Sequence, residues 1–152
     1  MTGRLKILLI VLCGLGVLAG ASLWMRPHEL VRWNNDFQAA SAESRRTGKP
    51  LFLDFTALWC GPCQDMRRRT WSNAKVANAL ERDYIPVQID IDAHPDLAQR
   101  FGAEAIPHLA VVDPQGNVTM WIEGELAPEP FLHWLASQSS GGPGVRFPPL
   151  PK

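Results

Sequence analysis

The sequence predicts an α/β domain, a mixed central β-sheet flanked by helices, behind an N-terminal transmembrane helix. Three observations predict it. Residues Ile7 to Met25 form a 19-residue run in which Ser22 is the sole polar side chain. Two short apolar, β-favouring runs, Leu51–Phe55 and Tyr84–Ile91, are separated by helical stretches, the pattern of a strand–helix–strand unit covered on both faces. Two further such runs joined by Asp113-Pro114-Gln115-Gly116 add a hairpin, and an apolar helical stretch closes the domain.

The 152 residues give room for one ordinary domain with extra segments. An apolar content of 46% supports a buried core, although part of it is concentrated in the first twenty-five residues. Fifteen basic and fifteen acidic residues leave no net charge, so nothing attracts phosphate and no nucleic-acid partner is expected. Three cysteines, at 13, 60 and 63, are too few for a disulfide-stapled scaffold.

A helix over Ile7–Met25 is roughly 28 Å long, close to the thickness of a hydrocarbon core. Arg4 and Lys6 precede it, which keeps the N-terminus in the cytoplasm and exports the rest, and Trp24 and Arg26 suit the far headgroup interface. The competing reading is a cleaved signal, because Ala19-Gly20-Ala21 meets the small-x-small requirement of signal peptidase. Both readings place the domain outside the cytoplasm. Residues 1–26 are thus a signal-anchor or transmembrane segment, 27–138 the domain, and 139–152 a flexible Gly/Pro-rich tail. Cys13 reads as a small hydrophobe facing lipid.

Within the domain, Leu30, Val31, Trp33, Phe37, Ala40 and Ser44 give a loose helical stripe, so a helix is expected from His28 to Thr47, ended by Gly48-Lys49-Pro50. The strand Leu51–Phe55 carries one charge, Asp54. After Trp59-Cys60-Gly61-Pro62-Cys63 a helix runs to about Arg69, and Ser72 is the expected cap of another over Asn73–Arg82. Tyr84–Ile91 is a strand, and Pro95 opens a short helix ending at Gly102. His108–Val112 and Asn117–Ile122 are the hairpin strands, and Glu129–Ser137 is the last helix.

A cysteine attacks a disulfide only as its thiolate, and at neutral pH a free thiol is mostly protonated. Placing Cys60 at a helix N-terminus exposes it to unpaired N–H groups and the positive end of the dipole, which favour the anion. Pro62 suits the first turn. Cys60 is then the exposed nucleophile, and Cys63, one turn inside, resolves the mixed disulfide. Two alternatives stay open on spacing alone. A zinc half-site lacks a second cysteine pair, and His28, His94, His108 and His133 have no paired spacing, so no metal is expected. A structural disulfide without catalysis is the other.

Asp54-Phe55-Thr56-Ala57-Leu58-Trp59-Cys60-Gly61-Pro62-Cys63 resembles the active-site stretch of the thioredoxin superfamily. Ala105-Ile106-Pro107-His108-Leu109 resembles its cis-proline loop, and Gly124 a third landmark. Thr47-Gly48-Lys49-Pro50 and Thr70-Trp71-Ser72-Asn73-Ala74-Lys75-Val76 are similar to the C-terminal thioredoxin-like domain of DsbD-type thiol–disulfide interchange proteins, over roughly residues 33–137. The resemblance implies a thioredoxin-like fold without a cofactor and a membrane-anchored protein-disulfide reductase. Its site would be Cys60, Cys63 and Asp54, with Trp59, Ile106 and Pro107 meeting substrate. Pro107 would be cis and beside the disulfide, although alone it reads equally as a strand-edge breaker. Asp54 would be the buried acid that takes the proton of Cys63.

The implied partners are exported proteins with disulfides, including cytochrome c maturation components, and a membrane electron donor of DsbD/CcdA type. The implied location is the inner membrane, single-pass, with the domain in the periplasm; cleavage would leave it soluble there. Gly61-Pro62 resembles reducing members. An oxidase or isomerase and a non-catalytic binding module are the rival readings. Two departures stand out: Gln88 occupies the position of a lysine near the buried acid, and His108 follows Pro107 where threonine is common. His108 reads as a plain strand residue, Trp59 as half-buried packing or substrate surface, and Arg67-Arg68-Arg69 as a solvated helix face.

Overall fold

The computed structural model describes residues 29–137. The expected membrane segment and the tail lie outside them. Among the described residues no helix is long and apolar enough to cross a membrane.

The chain enters extended, and Asn34 forms an isolated parallel bridge with Val87. Helix α1 spans Phe37–Thr47, β1 Leu51–Thr56, α2 Gly61–Arg69, α3 Ala74–Asp83 and β2 Ile85–Asp90. They are followed by α4 (Pro95–Phe101), β3 (His108–Val112), β4 (Val118–Glu123) and α5 (Pro128–Ala136). The sheet order is β2-β1-β3-β4; β1 and β2 are parallel, and the other two pairings are antiparallel. The mixed sheet expected from the element order is therefore present.

Two elements differ from expectation. The first helix begins at Phe37 rather than His28, because the Asp36 side chain accepts the Ala39 N–H at 3.0 Å and so starts the helix there. Ahead of it, Asn34 donates its N–H to Pro86 O and accepts from Gln88 N, which commits the segment to an extended course. The cap of α3 is Asn73, not Ser72: its side-chain oxygen accepts from the N–H of Lys75 and of Val76.

Successive strand residues face opposite sides of the sheet. Leu51, Leu53 and Phe55 of β1 pack with Phe37 and Ala40 of α1 and Leu97 and Phe101 of α4. Phe52 faces the other side, with Met66, Trp71, Val76, Leu80 and Phe131. Asp54 shares that second face, so a carboxyl enters the layer between β1 and α2 by strand alternation alone. At the end of β1, where the chain leaves the sheet for α2, Ala57, Cys60 and Cys63 form a third, smaller cluster with Ile91 and Ile106.

Candidate active site

Cys60 is the N-cap of α2. Its backbone is extended, its Sγ accepts the Cys63 N–H at 3.2 Å, and Pro62 occupies the first turn. A disulfide joins Cys60 to Cys63 across a Cα–Cα distance of 5.3 Å. In this oxidised state Cys60 is 4% exposed, which corrects the expectation of an open nucleophile. The sulfurs are closed in by Ala57, Ile91 and Ile106. Exposure belongs to the preceding residues instead: Leu58 and Trp59 stand out at 77% and 67%. Trp59 is not half-buried packing, yet it is held, since its Nε1–H donates to Asp92 Oδ2 at 2.8 Å. Nothing local in the sequence pairs Asp92 with Trp59.

Opposite the disulfide, the Ile106–Pro107 peptide bond is cis. The Ile106 carbonyl oxygen lies 3.7 Å from Cys60 Sγ, within reach of a thiol once the disulfide opens. The Pro107 carbonyl accepts the N–H of Gly124 at 2.9 Å, with Gly124 at φ +93°, a backbone state that glycine adopts without a steric cost. The end of β4 thereby ties down the loop beside the sulfurs.

Asp54 is 2% exposed on β1, one of the two interior strands. Burial pushes its carboxyl up to about 7, while the hydrogen bond from Gln88 Nε2 to Oδ2, at 3.0 Å, works in the opposite direction. Glu29 also raises it, and Arg67 and the Trp71 indole lower it. Asp54 and Gln88 are register partners on β1 and β2, which is why the position of Gln88 matters to the acid.

His108 is the first residue of β3, a strand residue as expected. It is buried, stacked on Trp121 at 5.4 Å between ring centroids and edge-on to Phe55. Its Nδ1 is 3.5 Å from Glu123 Oε1, too long for a well-formed hydrogen bond, and burial lowers its pKa against the pull of Glu123. The arginine run is paired rather than merely solvated. Arg67 Nε lies 3.6 Å from Glu29 Oε2, Arg68 bonds Asp65, and Arg69 Nη2 lies 3.7 Å from Glu125 Oε2. Among the described residues no group of three or more His, Cys, Asp or Glu is placed to hold a metal ion.

A disulfide at a helix N-terminus, faced by a cis-proline loop over a four-stranded mixed sheet, defines a thioredoxin-like domain. The family model described as thioredoxin-like matches residues 32–114, and the chain belongs to that family. A thioredoxin H-type from Fagopyrum esculentum is 30% identical over 112 residues, covering 72% of this chain and 85% of its own. The thiol:disulfide interchange protein DsbD of Ralstonia nicotianae is 40% identical over 75 residues, 47% of this chain but 12% of DsbD. The oxidised C-terminal domain of Neisseria meningitidis DsbD has a TM-score of 0.60 and 25% identity, over 70% of this chain and 98% of that domain.

Proposed function

We propose that the chain is a thiol–disulfide oxidoreductase that reduces disulfides of exported proteins from an extracytoplasmic, membrane-anchored position. The observation that carries the chemistry is Cys60 as the cap of α2, with its sulfur on the Cys63 N–H and beside Ile106–Pro107. In the reduced chain, negative charge on Cys60 Sγ is favoured by that N–H and by the helix dipole. Cys60 Sγ attacks one sulfur of the substrate disulfide, the substrate bond breaks, and the departing thiolate takes a proton from solvent. Cys63 then gives its proton to the Asp54 carboxylate and attacks Cys60 Sγ. The second substrate sulfur leaves as a thiolate and takes up a proton from solvent, and Asp54 returns its own proton to solvent. The substrate has gained two electrons and two protons, and the chain is left with the Cys60–Cys63 disulfide.

Leu58 and Trp59 supply an exposed apolar rim for an unfolded or extended substrate, and Ile106 and Pro107 supply the backbone beside it. Similarity to DsbD proteins supports re-reduction by a membrane electron donor of the DsbD/CcdA type. The run Ile7–Met25 behind Arg4 and Lys6 supports an anchor in the inner membrane with the domain in the periplasm.

Cys63→Ser tests the mechanism. Without the resolving thiol, Cys60 is expected to accumulate mixed disulfides with exported proteins, read as shifted bands on a non-reducing gel and identified by mass spectrometry. No trapped species, or trapping that survives Cys60→Ser in the same chain, rejects it. Direction is read from the reduction potential: a value of about −270 mV supports a reductase, and one of about −120 mV an oxidase.

A further inference from the structure

Two full charges act on Asp54 from outside the dithiol. Arg67 lies on α2 four residues after Cys63, on the same face one turn further along. Its side chain is 35% exposed, and the Glu29 carboxylate, 22% exposed, lies 3.6 Å away. A pair this enclosed is screened less than a surface pair. Glu29 is itself fixed: Oε1 accepts the Trp33 Nε1–H at 2.5 Å, and the N–H groups of Leu30 and Val31 donate to Trp71 O at 2.9 and 3.3 Å. Trp71 is buried, so the entering segment is fastened to the same wall that encloses the acid. Arg67 and Gln88 also line a cleft of about 150 Å³ with Thr56 and Ala57, alongside the start of α2.

We propose that Glu29 and Arg67 form a positioning charge couple for Asp54, so that the segment entering the domain sets how readily the acid beneath the disulfide takes a proton. The proposal rests on the reading of Asp54 as the proton acceptor of Cys63. Among the described residues, the groups acting on Asp54 are Gln88 from β2, a neutral donor, Arg67 from α2, the Trp71 indole, and Glu29 from the entering segment. The Cys63 thiol joins them in the reduced chain. Arg67 favours the carboxylate and Glu29 opposes it, and because the two are paired at 3.6 Å each offsets the other at the acid. Drawing Glu29 away leaves Arg67 unopposed and turns Asp54 into a better holder of negative charge. The couple moves no atoms in the reaction; it alters only the transfer of a proton from Cys63 Sγ to Asp54.

The test uses the full chain with Glu29→Gln, Arg67→Met and the double variant. Carbon-13 NMR follows the Asp54 carboxyl in the oxidised state, and the pH profile of aryl-disulfide reduction follows the reduced state. Glu29→Gln is expected to lower the Asp54 midpoint and Arg67→Met to raise it, each by about half a pH unit, or ~3-fold in rate near pH 7. The double variant returns toward the unmodified chain, and Arg67→Lys keeps the unmodified midpoint. Midpoints that move in the same direction, or not at all, overturn the proposal. Rate shifts that persist in an Asp54→Asn background also overturn it, because the couple would then act on the thiols. If Asp54→Asn alone leaves the pH profile unchanged, the acceptor role of Asp54 fails, and the NMR midpoints decide the couple by themselves.

Discussion

Asp54 is a carboxyl that folding takes out of water, at 2% exposure. Its carboxyl titrates near 3.9 in an unfolded chain and at about 7 in the fold, because burial disfavours the charge. Between those values the native chain holds a proton that the unfolded chain has released. Stability therefore falls as pH rises from about 4 to about 7, and the loss, up to ~4 kcal/mol, is complete above pH 7. Asp54→Asn is expected to stabilise the oxidised chain by a few kcal/mol at pH 8 and by almost nothing at pH 4. Urea denaturation at the two pH values checks this, and an equal gain at both would reject it. The cysteines, Asp54 and Pro107 were legible in the sequence because each sits inside a short local motif. Glu29 and Asp92 were not, since their partners Arg67 and Trp59 are brought to them only by the packing of distant segments.

Among the elements, the strands and most helices followed from apolar periodicity and turn residues. The first helix did not. Leu30, Val31, Trp33 and Phe37 fit a helical stripe and equally fit an extended segment that buries Val31 and part of Trp33 against the sheet. The decision falls to Asp36, whose side chain opens α1, and to the β2 edge, which takes up the backbone before it. Caps exert comparable control at α3. Asn73→Ala removes an acceptor shared by two N–H groups and is expected to cost about 1 kcal/mol, whereas Ser72→Ala costs α3 no cap bond. Thermal midpoints of the two variants distinguish them; equal shifts would mean that Ser72 carries the cap after all.

For the molecule as a whole, one ring joins the layer under the active site. Phe52 lies edge-on to Trp71, Tyr84, Phe131 and Trp134, at 6.0, 6.4, 5.5 and 6.4 Å, and is fully buried. Phe52→Ala is expected to cost about 3–5 kcal/mol, read as a lower urea midpoint with an unchanged slope. A loss below about 1 kcal/mol would show that the layer collapses around the gap. Such a hub was only partly legible: the apolar run marked β1 as buried, but its contacts on α3 and α5 depend on how the helices cross the sheet. The bridge at Asn34 has a further consequence, for the behaviour of many copies together. Pro86 brings no N–H to the outer edge of β2, and its carbonyl and the Gln88 N–H are already taken by Asn34. A second chain arriving at that stretch finds no free pair of groups with which to extend the sheet, so the segment that leads into the domain also guards it against strand-by-strand self-association.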